Sequence, residues 1–140
     1  MSSGEVSGPR PVLDDPDTAG HWAAARCGRL AVCRCGGCGQ VLHPPRGMCF
    51  ACHGTDVSWT AVEPRGRLVS WTVAEFEVHP AFPVPYTVVL VELEDEPGVR
   101  LVGHLPGRPP LKGSLPMRAE FVTSDAGFPL VQWVPADSSI

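Results

Sequence analysis

Four cysteines in two matched pairs are the residues of this chain whose types and spacing could do chemistry. The pairs are Cys35-Gly-Gly-Cys38 and Cys49-Phe-Ala-Cys52, and ten residues separate them. Two residues between paired cysteines let one tight turn direct two thiolates at a single tetrahedral metal ion, and two such turns complete a four-thiolate site. The spacing therefore predicts a metal site of the zinc-ribbon type.

The residues around the pairs fit a structural site. Gly39 directly follows the first pair and Gly54 lies just past the second, where a positive φ would turn backbone N–H groups toward the sulfurs. We expect zinc, although tetrahedral sulfur sites also suit iron. A site closed by four cysteines leaves no open coordination position, so we expect no metal catalysis. The residues left outside the site are Cys27, Cys33, His43 and His53.

Disulfide bonds are the competing interpretation of paired cysteines. They need an oxidising compartment, and residues 1–16 lack the apolar core of a secretory signal. No apolar run approaches the roughly 18 residues that a membrane helix needs. We therefore expect a cytoplasmic protein with no membrane partner.

The elements that position the cysteines are expected to be mostly short strands. The 15 glycines and 16 prolines among 140 residues are too many for a helical protein. One short helix is expected to start at Asp17 and a capping Thr18 and to end near Gly28. Strands at 30–32 and 57–62 would flank the cysteine turns. We expect a disordered lead-in at 1–16, a helix and ribbon unit at 17–64, a second domain at 65–135 and a tail at 136–140.

The second domain is expected to be all β. Apolar and polar residues alternate over 67–78, with Leu68, Ser70 and Thr72 on one side of the strand and Val69, Trp71 and Val73 on the other. Further strands are expected at 86–93, 99–105, 117–123 and 128–134. Five short strands fit a closed barrel of the OB type, because closure removes exposed edges. An SH3-like barrel or a small sandwich is the alternative. Two proline-stiffened loops, 76–85 and 106–113, are expected to be ligand or partner surfaces.

Charge is unevenly distributed along the chain. The net charge is −4, yet residues 19–55 contain no acidic residue. Ribbons and OB barrels often bind nucleic acid, which is the alternative function. Residues 65–140 hold six basic and nine acidic groups, which opposes binding to a phosphate backbone. The acid-free stretch contains four arginines: Arg26, Arg29, Arg34 and Arg46.

A series of short motifs runs along most of the chain. In order, these are Trp22, Gly28-Arg29-Leu30, Cys35-x-x-Cys38-Gly39, Pro44-Pro45-Arg46, Cys49-x-x-Cys52, Gly66-Arg67-Leu68-Val69-Ser70-Trp71-Thr72, Pro85-Tyr86 and Val91-Glu92-Leu93. The series resembles the zinc-ribbon/OB-fold proteins usually called OB-fold acyl-CoA-associated proteins, once known only as a domain of unknown function. The resemblance covers about residues 17–135.

The resemblance implies a mostly β protein and an accessory function. Members of the family have an N-terminal helical segment, a rubredoxin-like zinc ribbon and a five-stranded OB barrel. They work beside thiolase-like enzymes: thiolases, hydroxymethylglutaryl-CoA synthases, polyketide-type acyltransferases and steroid side-chain aldolases. The implied protein is therefore a non-catalytic subunit that helps a thiolase-fold partner to handle its acyl-CoA substrate.

Two sets of residues are candidates for these contacts. Arginine binds phosphate in a bidentate manner and aromatic rings can stack on adenine, so the candidates for coenzyme A are Arg46, Phe82 and Tyr86. Apolar anchors beside arginines are typical of interface centres, and the candidates for the partner are Trp22, Arg26 and Arg29, together with Arg46.

No catalytic group is predicted from the sequence. Neither a Cys/His nor a Ser/His/Asp arrangement is recognisable. His79 lies in a proline-rich loop and is taken as an ordinary loop histidine. His104 ends an alternating strand, where we expect its side chain to be exposed or bonded to a backbone group.

Overall fold

The computed structural model describes residues 9–136, so half of the predicted lead-in and most of the predicted tail lie outside the described residues. No helix in the described part is long and apolar enough to cross a membrane. Residues 9–136 form one helix and seven strands, which are in chain order α1 (Ala19–Arg26), β1 (Leu30–Cys35), β2 (Val57–Val62), β3 (Arg65–Ala74), β4 (Tyr86–Leu93), β5 (Arg100–Pro106), β6 (Pro116–Thr123) and β7 (Pro129–Pro135).

Helix α1 starts from a backbone turn rather than from a capping side chain. The amide of Ala19 donates to the carbonyl of Asp15 at 2.8 Å, and the amide of Asp17 donates to the Asp15 side chain at 2.8 Å. Thr18 makes no side-chain capping bond, so the predicted capping hydroxyl is wrong. The physical reason is its ψ of −5°, which lies outside the β region that a capping residue adopts.

Helix α1 connects the ribbon to the barrel. It packs on β1 and β2 on one side and on β6 and β7 on the other. Gly20 lies against the indole of Trp59 so closely that a Cβ at this position would overlap the ring. Ala25 is the buried residue of the helix. Small side chains therefore let the helix approach both modules.

Strand β1 contributes to two cores at once. It pairs with β2 in an antiparallel manner from Leu30 opposite Val62 to Cys35 opposite Val57. Because successive side chains point to opposite faces of a strand, Leu30 and Val32 enter the barrel core. Cys33 and Cys35 enter a small ribbon core with Leu42 and Cys49. The predicted strand at 30–32 extends to Cys35, and the predicted strand at 57–62 is confirmed.

The predicted OB-type barrel has its five strands, and they form one antiparallel sheet in the order β5-β4-β3-β6-β7. Its core is centred on buried side chains that include Leu68, Val89, Met117 and Trp133. Among the described residues no strand pairing joins β5 to β7. The two edge strands instead pack together, with Gly103 against Trp133.

Strand β3 departs from the predicted alternation at a bulge. Leu68 pairs with Val91, but the register shifts between Leu68 and Ser70, and Trp71 then lies opposite Val89. Because paired residues share a face, the extra residue moves Trp71 to the face of Leu68. The predicted strand at 67–78 also ends early, at Ala74, because β4 begins at its partner Tyr86.

Candidate functional site

The four paired cysteines converge at one end of the ribbon. Their Sγ atoms all lie within 4.8 Å of one another. The Cys35–Cys52 and Cys38–Cys49 sulfur pairs are 3.6 Å and 3.7 Å apart. A metal ion with four bonds to sulfur of about 2.3 Å would separate the sulfurs by about 3.8 Å. The sulfurs are therefore spaced as a tetrahedral four-thiolate metal site requires.

The two cysteine turns have the same hydrogen-bond pattern. The Sγ atom of Cys35 accepts the amides of Gly37 at 3.3 Å and Cys38 at 3.4 Å. In the second turn, the Sγ atom of Cys49 accepts two amides at 3.3 Å and 3.5 Å, from Ala51 and Cys52. Amide donors stabilise thiolates, so both turns are built for the charged form of sulfur.

The residue after each pair has left-handed backbone geometry. Gly39 has a φ of 81° and His53 has a φ of 64°. Each donates its amide to the carbonyl oxygen of the first cysteine of its pair. The distance is 3.0 Å to the oxygen of Cys35 and 2.9 Å to the oxygen of Cys49. Gly54 does not have a positive φ, so its predicted role is wrong. It needs to be small because a Cβ there would lie 3.3 Å from the Cys52 sulfur.

The acid–base behaviour of the thiols also fits a bound cation. The amides of Cys38 and Gly37 lower the pKa of Cys35 to about 7. The Gln40 amide lowers the pKa of Cys38, but the Cys49 thiol, burial and the other thiols outweigh it and raise that pKa to about 11. Four adjacent thiols therefore do not all ionise without a compensating charge. A metal ion supplies that charge and deprotonates its thiol ligands.

The residues predicted to lie outside the site are not part of this group of sulfurs. Cys27 is exposed, whereas Cys33 is buried with its Sγ atom 3.9 Å from the Arg46 carbonyl oxygen. The Nε2 atom of His43 lies 3.1 Å from the Arg100 carbonyl oxygen and ties the ribbon to β5.

Part of the acid-free stretch is internal to the fold. Arg34 bonds to the carboxylate of Glu96 in the loop after β4, and both side chains are only about a quarter exposed. It also donates to the Gly39 carbonyl oxygen at 3.0 Å. These groups line a cleft of about 450 Å³ between ribbon and barrel. Arg34 therefore joins the first cysteine turn to the barrel.

The candidate ligand residues lie in two different modules. Arg46 is in the ribbon, where its guanidinium carbon lies 5.7 Å from the centre of the Phe50 ring. Phe82 and Tyr86 are in the barrel, with ring centres 6.4 Å apart. The structure brings the two aromatic residues together and leaves the arginine in the other module.

His104 completes the aromatic cluster, which the sequence did not reveal. Its ring lies 4.9 Å from Tyr86 and 5.8 Å from Phe82, centre to centre. Its Nε2 atom is buried and has no hydrogen-bond partner among the described residues. The expectation of an exposed or backbone-bonded side chain is therefore wrong. Phe82 comes from the loop between β3 and β4, and strand alternation gives no sign of this contact.

The candidate partner residues differ in exposure. Arg26 and Arg29 are exposed, whereas Trp22 is half-buried and packs edge-on against His21 with ring centres 4.7 Å apart. The role of these residues in an interface stays a prediction.

Comparison with known proteins identifies the family. Residues 22–58 match the family model described as "ChsH2, rubredoxin-like zinc ribbon domain", and residues 59–122 match "ChsH2, C-terminal OB-fold domain". A solved structure titled "Ltp2-ChsH2(DUF35) aldolase" contains a chain that is 34% identical, with a TM-score of 0.80. The match covers 90% of this chain and 98% of that one. The chain belongs to the ChsH2 family. The predicted resemblance to zinc-ribbon/OB-fold proteins is confirmed.

Two curated relatives are longer proteins. The "Probable enoyl-CoA hydratase alpha subunit" of Thermomonospora curvata is 37% identical over 94% of this chain and 37% of its own length. The "3-oxo-4,17-pregnadiene-20-carboxyl-CoA hydratase alpha subunit" of Mycobacterium tuberculosis is 30% identical over 76% of this chain and 34% of its own length. The chain thus spans about a third of the length of these relatives.

Proposed function

We propose that this ChsH2-family chain is a non-catalytic accessory subunit that binds a thiolase-fold enzyme and supports its reaction on an acyl-CoA thioester. The observation that carries the proposal is the likeness over 98% of a chain in the structure titled "Ltp2-ChsH2(DUF35) aldolase". Steroid side-chain aldolases are among the thiolase-like partners that the family resemblance implies. Because the match extends over nearly the whole of that chain, it supports the proposal that this chain also acts in complex with an enzyme.

An acyl-CoA as the substrate class is supported by the names of the longer relatives. Both are hydratase alpha subunits, and both names specify a coenzyme A thioester. This chain spans only about a third of either protein. We place the named hydratase activity in the remaining two thirds, and the shared third serves an accessory role beside a thioester enzyme.

We propose zinc as the metal, held by Cys35, Cys38, Cys49 and Cys52. The sulfur distances and the four amide donors fit a closed tetrahedral site. Zinc has no redox chemistry and suits a structural role. When bound, it would join the two cysteine turns and stabilise the ribbon that carries α1 and β1.

The test of the proposed function is co-purification from the native host. The tagged chain should retain a thiolase-fold protein in fixed stoichiometry, and the isolated chain should neither cleave nor condense acyl-CoA thioesters above background. As a control, a Cys49→Ser variant should lose metal and retain less partner. Turnover by the isolated chain, free of any thiolase-like contaminant, would contradict the proposal, as would a nucleic-acid enzyme as the retained partner.

A further inference from the structure

The stretch from the second half of β3 into the next loop concentrates exposed apolar side chains. Four of the exposed large apolar residues lie within residues 69–78, and we call them the 69–78 surface: Val69, Trp71, Phe76 and Val78. Phe76 and Val78 are each 81% exposed, and Trp71 is 39% exposed. Phe76 and Val78 lie at the start of loop 76–85, which the sequence predicts to be a ligand or partner surface.

The backbone beneath this surface is also unpaired along one edge. Strand β3 pairs with β6 only over Arg65–Arg67, and its last backbone bonds on that side join Leu68 to Leu115 and Ser114. From residue 69 to 74 this edge has no partner strand within the described range 9–136. Residues 68–74 carry no charge and no proline. Apart from the bulge, the edge lacks the usual protection against pairing with another chain.

The area of the surface is suited to a stable contact. The exposed fractions of the four side chains amount to roughly 400 Å², because a fully exposed Phe or Trp presents about 150–250 Å². A standard interface buries about 800 Å² on each partner, of which somewhat more than half is apolar. The 69–78 surface alone would provide most of that apolar area.

The charges around the surface select the kind of partner. Glu75 and Glu77 flank Phe76, and Glu75 pairs with Arg108 at 2.6 Å. No ion pair is found for Glu77 among the residues that the structure describes. In a two-fold contact between copies centred on this surface, the two Glu77 carboxylates would approach each other without a compensating charge. Anionic lipid or nucleic acid would be repelled for the same reason.

We infer that the 69–78 surface is the docking surface for the enzyme partner, with Phe76 and Val78 as its anchors. The partner must offer an apolar hollow rimmed by basic side chains, beside a strand or extended segment that can pair with the free edge of β3. This inference rests on the proposed function and differs from the sequence-based expectation of an interface around Trp22.

The test measures the affinity of the full metal-loaded chain for the purified thiolase-fold partner. The double variant Phe76→Ser, Val78→Ser should raise Kd at least tenfold, because the apolar area that these two exposed side chains would bury on binding is lost. Both side chains are mostly exposed, so thermal stability and metal content should not change. Val102→Ser is the matched control, since Val102 is 66% exposed on β5 and carries no such role. Its Kd should equal that of the wild type.

A charge-reversed variant gives a second and independent result. Glu77→Lys should slow association several-fold at low salt, and the effect should fade as salt screens the charges. If the wild type binds the partner and both the double variant and Glu77→Lys bind it equally well, this inference alone is overturned. The same holds if binding is lost only in a Trp22→Ala, Arg29→Ala variant. Dimerisation of the chain through Phe76 and Val78 would also overturn it. No binding by the wild type would overturn the proposed function as well.

Discussion

Replacing His53 by glycine should stabilise the ribbon. His53 holds a φ of 64° immediately after the second cysteine pair, and Gly39 has the same role after the first pair with a φ of 81°. Both amides donate to the first cysteine of their pair. The chain thus contains the same turn twice, once with the residue that tolerates left-handed geometry and once with a residue that does not.

The size of the effect follows from the backbone. A left-handed conformation costs a residue with a Cβ about 1–2 kcal/mol. Glycine removes this cost, but its greater conformational freedom in the unfolded chain cancels about 0.5–1 kcal/mol of the gain. The net gain for His53→Gly is therefore about 1 kcal/mol in the free energy of unfolding. For a chain of this length it corresponds to a rise in Tm of about 3–5 °C.

The assay is denaturant unfolding of the metal-loaded protein, with Tm as a second readout. His53→Ala is the matched control, because it removes the ring and keeps the strained backbone, so its stability should stay near that of the wild type. Gly39→Ala should cost about 1 kcal/mol, since its Cβ meets no atom within 4 Å and only the backbone is strained. Equal stability of His53→Gly and His53→Ala would refute the reasoning.

Three further predictions concern the metal, one ion pair and one cap. Cys49→Ser should release the metal and destabilise the N-terminal half, whereas Cys33→Ser or Cys27→Ser should leave the metal content of one ion per chain unchanged, as measured by metal analysis. A double-mutant cycle with Arg34→Met and Glu96→Gln should give a coupling free energy of about 1 kcal/mol. The same cycle on the more exposed Arg118–Glu120 pair should give a value near zero. Equal coupling energies would contradict the role given to Arg34. Thr18→Ala should change the free energy of unfolding by less than about 0.3 kcal/mol, and a loss near the 1 kcal/mol typical of a cap would show that its hydroxyl does cap α1.

Local patterns in the sequence predicted much of the fold and the metal-binding cysteines. The spacing within Cys35–Cys38 and Cys49–Cys52 is a property of single turns, and the five barrel strands follow from short apolar runs between turn residues. Such features are determined by residues that are close together in the sequence, so the sequence alone predicts them.

Features that depend on distant partners were missed. The bulge at Val69 moves Trp71 to the face of Leu68, and nothing in the alternation of β3 marks the extra residue. Arg34 bonds to a carboxylate 62 residues away, so the acid-free stretch only looked like a free basic surface. His104 is enclosed by Phe82 from another element. In each case the deciding contact is made by tertiary packing.

Titration of this chain into its separately purified thiolase-fold partner is the measurement that tests the accessory role most directly. Thioester turnover is followed at fixed partner concentration. The proposed function predicts low activity of the partner alone, a rise with added chain, and saturation at a fixed ratio of chain to partner. Full activity of the partner without the chain, or a rise that does not saturate, would contradict it.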